Sequence, residues 1–121
     1  MNLLAVFVGG GIGSIMRYGI SKLVMKSNEV MFPYATLLAN LASCLIMALF
    51  IALAIQKFES HWFKYFVLVG LCGGLSTFST FSLETFELIK NGQHLFAVAN
   101  VLISVLMCVG ILYLGSSFIK T

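Results

Sequence analysis

Apolar residues fall along this chain in four long blocks, with polar residues gathered between them instead of alternating with them. The blocks cover about 3–23, 33–55, 63–89 and 95–119, each near the roughly 20 residues an α-helix needs to cross a hydrocarbon core. The links between them, about 25–32, 56–62 and 90–94, are short. Links of that length join antiparallel neighbours. The pattern predicts an all-α integral membrane protein with four transmembrane helices, folded as one domain over residues 1–121.

The third block contains an irregularity. Gly73 and Gly74 are followed by the hydroxyls of Ser76, Thr77, Ser79, Thr80 and Ser82, all inside an apolar span. Irregular backbone at membrane depth persists only where it is buried in protein or lines a wet cavity. The run therefore predicts a third helix broken between Gly73 and Phe78, with spare backbone groups suited to an ion. A glycine-kinked helix whose hydroxyls bond back to their own backbone is the plainer alternative.

Each of the other blocks has a polar or small-residue feature of its own. The first has Gly9, Gly10, Gly11 and Gly13 but no Gly-Lys-Ser/Thr, so it is not a phosphate loop. It has no basic start either, which argues against a secretory signal. Gly9 and Gly13 have the four-residue spacing that lets membrane helices approach closely. Arg17 lies about two-thirds along the block, where it either snorkels to an interface or faces a wet cavity. In the second block Thr36 and Asn40 are four apart and share a helical face. An unpartnered carboxamide in lipid costs on the order of 2–7 kcal/mol, so Asn40 must face protein or water. Ala35, Ala39 and Ser43 make a neighbouring stripe of small residues. In the fourth block Asn100, Ser104 and Cys108 form one polar row on an otherwise apolar helix. A polar track for a permeant species and interhelical hydrogen bonding both fit that row.

Composition narrows the class. Hydrophobic residues make up 60%, charged residues only 9%, and mean hydropathy is +1.06, whereas soluble domains carry about 25% charged residues. The net charge of +3 is scattered, so no basic stripe supports nucleic-acid binding. Cys44, Cys72 and Cys108 are odd in number, far apart and set in apolar runs, and read as small hydrophobes. His61 and His94 have no partner at ligand spacing, and no nucleophile–base set suggests an enzyme. Lys57, Lys64 and Lys120 would lie on one side of the membrane, against Lys22, Lys26, Lys90 and a snorkelling Arg17 on the other. So even a balance gives the positive-inside rule little to act on. Two copies in opposite orientations could then pair about a two-fold axis in the membrane plane.

At this point the residues resemble a family. Gly-Leu-Cys-Gly-Gly-Leu-Ser-Thr-Phe-Ser-Thr-Phe-Ser-Leu-Glu at 70–84 is similar to the third-helix signature of the CrcB/Fluc bacterial fluoride channels. Thr36-Leu37-Leu38-Ala39-Asn40 resembles their second-helix motif, and Gly-Gly-Gly-Ile-Gly with Met-Arg-Tyr in 9–18 their first. The resemblance implies an antiparallel dual-topology dimer in the bacterial inner membrane, with two passive fluoride pathways that detoxify the cytoplasm. It implies Phe78 and Phe81 as pore phenylalanines and Asn40 as the pore amide. Ser79, Thr80, Ser104 and Thr36 would be nearby hydroxyls, and Arg17 and Glu84 vestibule charges. Gly73 and Ser76 would offer backbone carbonyls to a central structural sodium ion. The partners implied are fluoride, lipid and an inverted second copy, or a paired homologous chain. Cys44 and Cys108 depart from the family, standing where serine is common, and Asn100 stands where a tyrosine occurs. Two other readings fit a chain of this size: a small drug/proton antiporter and a non-conducting interaction subunit. The antiporter needs an acidic residue at membrane depth, and the first block has none.

Overall fold

The structure, a computed structural model, describes residues 1–27, 32–53, 57 and 59–118. The helix ends expected at Ile55 and Ile119, and Lys120, lie outside the described residues. The elements run α1 (Asn2–Ser27), α2 (Tyr34–Leu53), α3 (His61–Lys64), a π-helical segment (Tyr65–Leu71), α4 (Cys72–Leu75), α5 (Phe78–Lys90) and α6 (His94–Ser117). Four spans are long and apolar enough to cross a membrane: Asn2–Val24, Tyr34–Leu53, His61–Lys90 and His94–Ser117. The chain is an all-α, multi-pass membrane protein, and no strand occurs among the described residues.

The packing inverts that of a soluble core. Large apolar side chains such as Leu3, Phe7, Ile15, Leu106 and Tyr113 point outward, while Ala5, Ala39, Ser43, Ala48 and Ala97 are buried. In lipid there is no gain from hiding leucine, so helices meet where small residues let backbones close up. The expected role of Gly9 and Gly13 is borne out. A Cβ on Gly13 would fall on the Leu71 carbonyl oxygen, and one on Gly74 would fall on that of Gly10. The first span is therefore seated on the π segment and α4 backbone to backbone. Across the molecule α2 lies against α6, where a Cβ on Gly115 would come within 2.7 Å of that of Ala48. A larger apolar cluster of Phe50, Val67 and Cys72 closes the end near α3, with Phe50 and Phe63 ring centroids 5.7 Å apart.

The π segment was not legible in the sequence; such single-turn widenings inside helices recur at functional sites. It leads into the predicted break. Ser76 (φ −78°, ψ 157°) and Thr77 (φ −151°, ψ 126°) are extended, so the helix stops at Leu75 and restarts at Phe78. α5 ends in a left-handed turn at Gly92 (φ 76°), with Gln93 N–H donating to the Leu88 carbonyl at 2.8 Å and Gly92 N–H to that of Ile89 at 3.1 Å. This glycine closure turns the chain tightly into α6.

Candidate functional site

A helix that stops in the membrane must settle the backbone groups it frees. Here side chains from other elements do most of that. The Cys72 carbonyl accepts from the Ser76 N–H at 3.0 Å, the Ser76 hydroxyl at 2.8 Å and the Ser43 hydroxyl of α2 at 2.8 Å. In an unbroken helix the Thr77 N–H would bond the Gly73 carbonyl. It donates instead to Asn40 Oδ1 at 2.8 Å, and Asn40 Nδ2 donates to the Thr77 carbonyl at 3.4 Å. One carboxamide on α2 thus takes both main-chain groups of Thr77 and holds the break open. Thr77 then caps α5, its Oγ1 accepting from the Thr80 N–H at 3.2 Å.

Two grooves meet at this point. The first, of about 340 Å³, is lined by Asn40, Ser76, Thr77, Phe78, Phe81 and Ser104, and also by Cys44 and Cys108. The Phe78 and Phe81 centroids are 6.0 Å apart with rings inclined 38°, and Phe78 is 80% exposed. The second groove, of about 300 Å³, is lined by Arg17, Tyr18, Thr36, Thr80 and Glu84, among others. Thr77 borders both.

The expected site residues therefore sort into places. Asn40, Phe78, Phe81, Ser76 and Ser104 come together in the first groove, and Thr36, Thr80, Arg17 and Glu84 in the second. Thr36 is tied to the carboxylate, its hydroxyl donating to Glu84 Oε1 at 2.8 Å, while Glu84 Oε2 is buried without a hydrogen-bond partner among the described residues. Ser79 is exposed and lines neither groove; its hydroxyl lies 3.4 Å from Thr77 Oγ1. Gly73 is exposed, with nothing within 4 Å of an added Cβ.

Other residues acquire roles that spacing did not assign. Asn100 is 1% exposed and ties α6 to α5, its Nδ2 donating to Thr85 Oγ1 at 2.9 Å; that hydroxyl in turn donates to the Phe81 carbonyl at 2.8 Å. The Ser104 hydroxyl reaches Asn100 Oδ1 at a long 3.4 Å. The fourth-helix row is thus divided: Asn100 joins helices, while Ser104 and Cys108 face the groove. Thr77 and Thr85 carry this network; the sequence signal for Thr77 was membership of the hydroxyl-rich run, and Thr85 lies beyond that run.

The comparisons with known proteins point one way. The family described as CrcB-like protein, Camphor Resistance (CrcB), matches residues 4–116. The chain is 37% identical over 118 residues to a protein of Coxiella burnetii (strain CbuK_Q154), covering 95% of this chain and 94% of that one. It is 39% identical over 118 residues to one of Shewanella amazonensis, covering 98% and 95%. With one of Pyrococcus abyssi it shares 42% over 120 residues, covering 95% of each. All three relatives carry the name Fluoride-specific ion channel FluC.

Proposed function

The chain belongs to the CrcB-like family, and from that premise we propose that it is a passive fluoride-selective channel which lets cytoplasmic fluoride leave the cell. Its relatives are named as ion channels specific for fluoride, not as enzymes. The observation that carries the reading to particular residues is the clamp of Asn40 on Thr77. It keeps the third span open in a groove edged by two phenylalanines, where α5 begins with N–H groups that have no helical acceptor.

Fluoride is small and strongly hydrated, so a path must replace its water without holding the ion. Neutral donors do this: the second amide hydrogen of Asn40 and the first N–H groups of α5, with the Ser104 hydroxyl, turned to Asn100, beside them. The positive ring edges of Phe78 and Phe81 add weak attraction. With Arg17 in the other groove, the first groove has no fixed cation among its lining residues to trap the anion. Conduction needs that balance between binding and release. A membrane potential of roughly 2.3 kcal/mol per charge per 100 mV then drives fluoride outward. Arg17, and Thr36 with Glu84, would shape the approach to the path.

The proposal extends to assembly in the cell membrane. Two inverted copies, or this chain with a homologous one, would pair across the face that carries exposed Phe78 and Gly73. A structural sodium ion at that junction would be held by the Gly73 and Ser76 carbonyls. The donor set fits: the N–H that would bond the Gly73 carbonyl in an unbroken helix goes to Asn40 instead, and Gly73 is exposed. When bound, the ion would supply fixed positive charge between the broken helices.

Liposomes loaded with fluoride test the function. Under a potassium/valinomycin potential, an ion-selective electrode should record fluoride release from vesicles holding the protein and none of chloride. Equal chloride release, or proton-coupled movement of a quaternary amine, would sink the reading.

A further inference from the structure

Cys44 and Cys108 are 64 positions apart in sequence (108 minus 44), on different helices. The fold brings them together. α2 and α6 close up where Ala48 meets Gly115, one helical turn along α2 from Cys44. Both thiols line the first groove, one from each helix, and lie near enough to influence each other electrostatically. Cys44 lies one turn from Asn40, and Cys108 one turn from Ser104, on the same faces.

We propose that Cys44 and Cys108 form a two-thiolate site for a thiophilic divalent cation within this groove. Thiolate ligands select soft metals, whereas hard cations such as calcium require six or more oxygens, a set this wall does not provide. On binding, two S–H bonds break, two metal–sulfur bonds form and two protons leave to the water of the groove. The complex is then neutral, which suits a groove with apolar walls, where net charge is costly. The site is a pair and not a triad. Cys72 is 1% exposed within the cluster of Phe50 and Val67, and no three His, Cys, Asp or Glu side chains converge among the described residues. A cation seated here would stand beside Asn40 and Ser104 and obstruct the groove. That consequence rests on the fluoride reading; the binding does not.

Mercuric chloride alone is the probe. Purified protein, free of reductant, is titrated and its remaining thiols are counted with a chromogenic disulfide reagent. In Cys72→Ala the first equivalent should remove two thiols per mercury, and in Cys72→Ala combined with Cys44→Ser or Cys108→Ser only one. If Cys72→Ala does not fold, the unmodified chain serves: the first equivalent should take two thiols, leaving Cys72 as the one found by mass mapping. One thiol consumed per mercury in Cys72→Ala, or in the unmodified chain, overturns the site. In liposomes, the same equivalent should abolish fluoride release from Cys72→Ala, and the double variants should lose that sensitivity relative to their own untreated flux. Two thiols per mercury with release undiminished would uphold the site and place the fluoride path elsewhere.

Discussion

At the scale of single residues, Asn40 matters most, because one side chain serves the backbone and the groove together. Its oxygen accepts the Thr77 N–H and its nitrogen donates to the Thr77 carbonyl, leaving one amide hydrogen for the groove. Asn40→Asp keeps an acceptor for the N–H but sets a carboxylate against the Thr77 carbonyl and removes every donor. We expect fluoride release to be lost and thermal stability in detergent to fall by about 1–3 kcal/mol, the usual cost of an unsatisfied buried polar group. A folded Asn40→Asp with undiminished release would remove this residue from the path. Sequence reasoning identified Asn40 as a side chain in need of a polar partner. It did not identify the partner, because Thr77 stands 37 residues away on another element and local spacing carries no information about such pairs.

At the scale of elements, the third span works because its two halves are held separately. The half before the break is locked by glycine contacts with α1, and the half after it is capped by Thr77 and bound to α6 through Thr85 and Asn100. A methyl group on Gly74 would meet the Gly10 main chain, which has no side chain to swing aside. Gly74→Ala should therefore force α1 and α4 apart and destabilise the fold by about 1–3 kcal/mol, as overpacking does. Gly19→Ala, with nothing within 4 Å, is the control and should change stability by no more than about 0.5 kcal/mol. Thermal melts of both variants in detergent make the comparison. An unchanged Gly74→Ala midpoint would mean that the close approach does not hold the helices.

At the scale of the whole molecule, the single chain leaves its chemistry on an open face. Phe78 is 80% exposed although it adjoins the break, and Gly73 is exposed, with nothing within 4 Å of an added Cβ. A second copy in the opposite orientation would cover that face, and the near-equal Lys and Arg counts on the two sides permit both insertions. A single cysteine in place of the exposed Asn91, on a background lacking the three native thiols, should accordingly label from both sides of the membrane in cells. Labelling from one side only would replace the homodimer by pairing with a homologous chain.

By itself the sequence determined the four spans, their order and the place of the break. These follow from hydropathy over about 20 residues and from a glycine–hydroxyl run, and both signals are local. It also identified Gly9 and Gly13 as packing residues, since their spacing is a property of one helix. Only the tertiary structure decided how the polar residues divide. Asn100 joins helices while Ser104, one turn on, faces a groove; Thr36 is spent on Glu84; Ser79 lines neither groove. The π segment and the placing of Cys44 and Cys108 in one groove likewise appear only in three dimensions. The physical reason is the same in each case. A helix face carries several polar groups at equivalent spacing, and which of them finds a partner is settled by the rotation and height at which neighbouring helices pack.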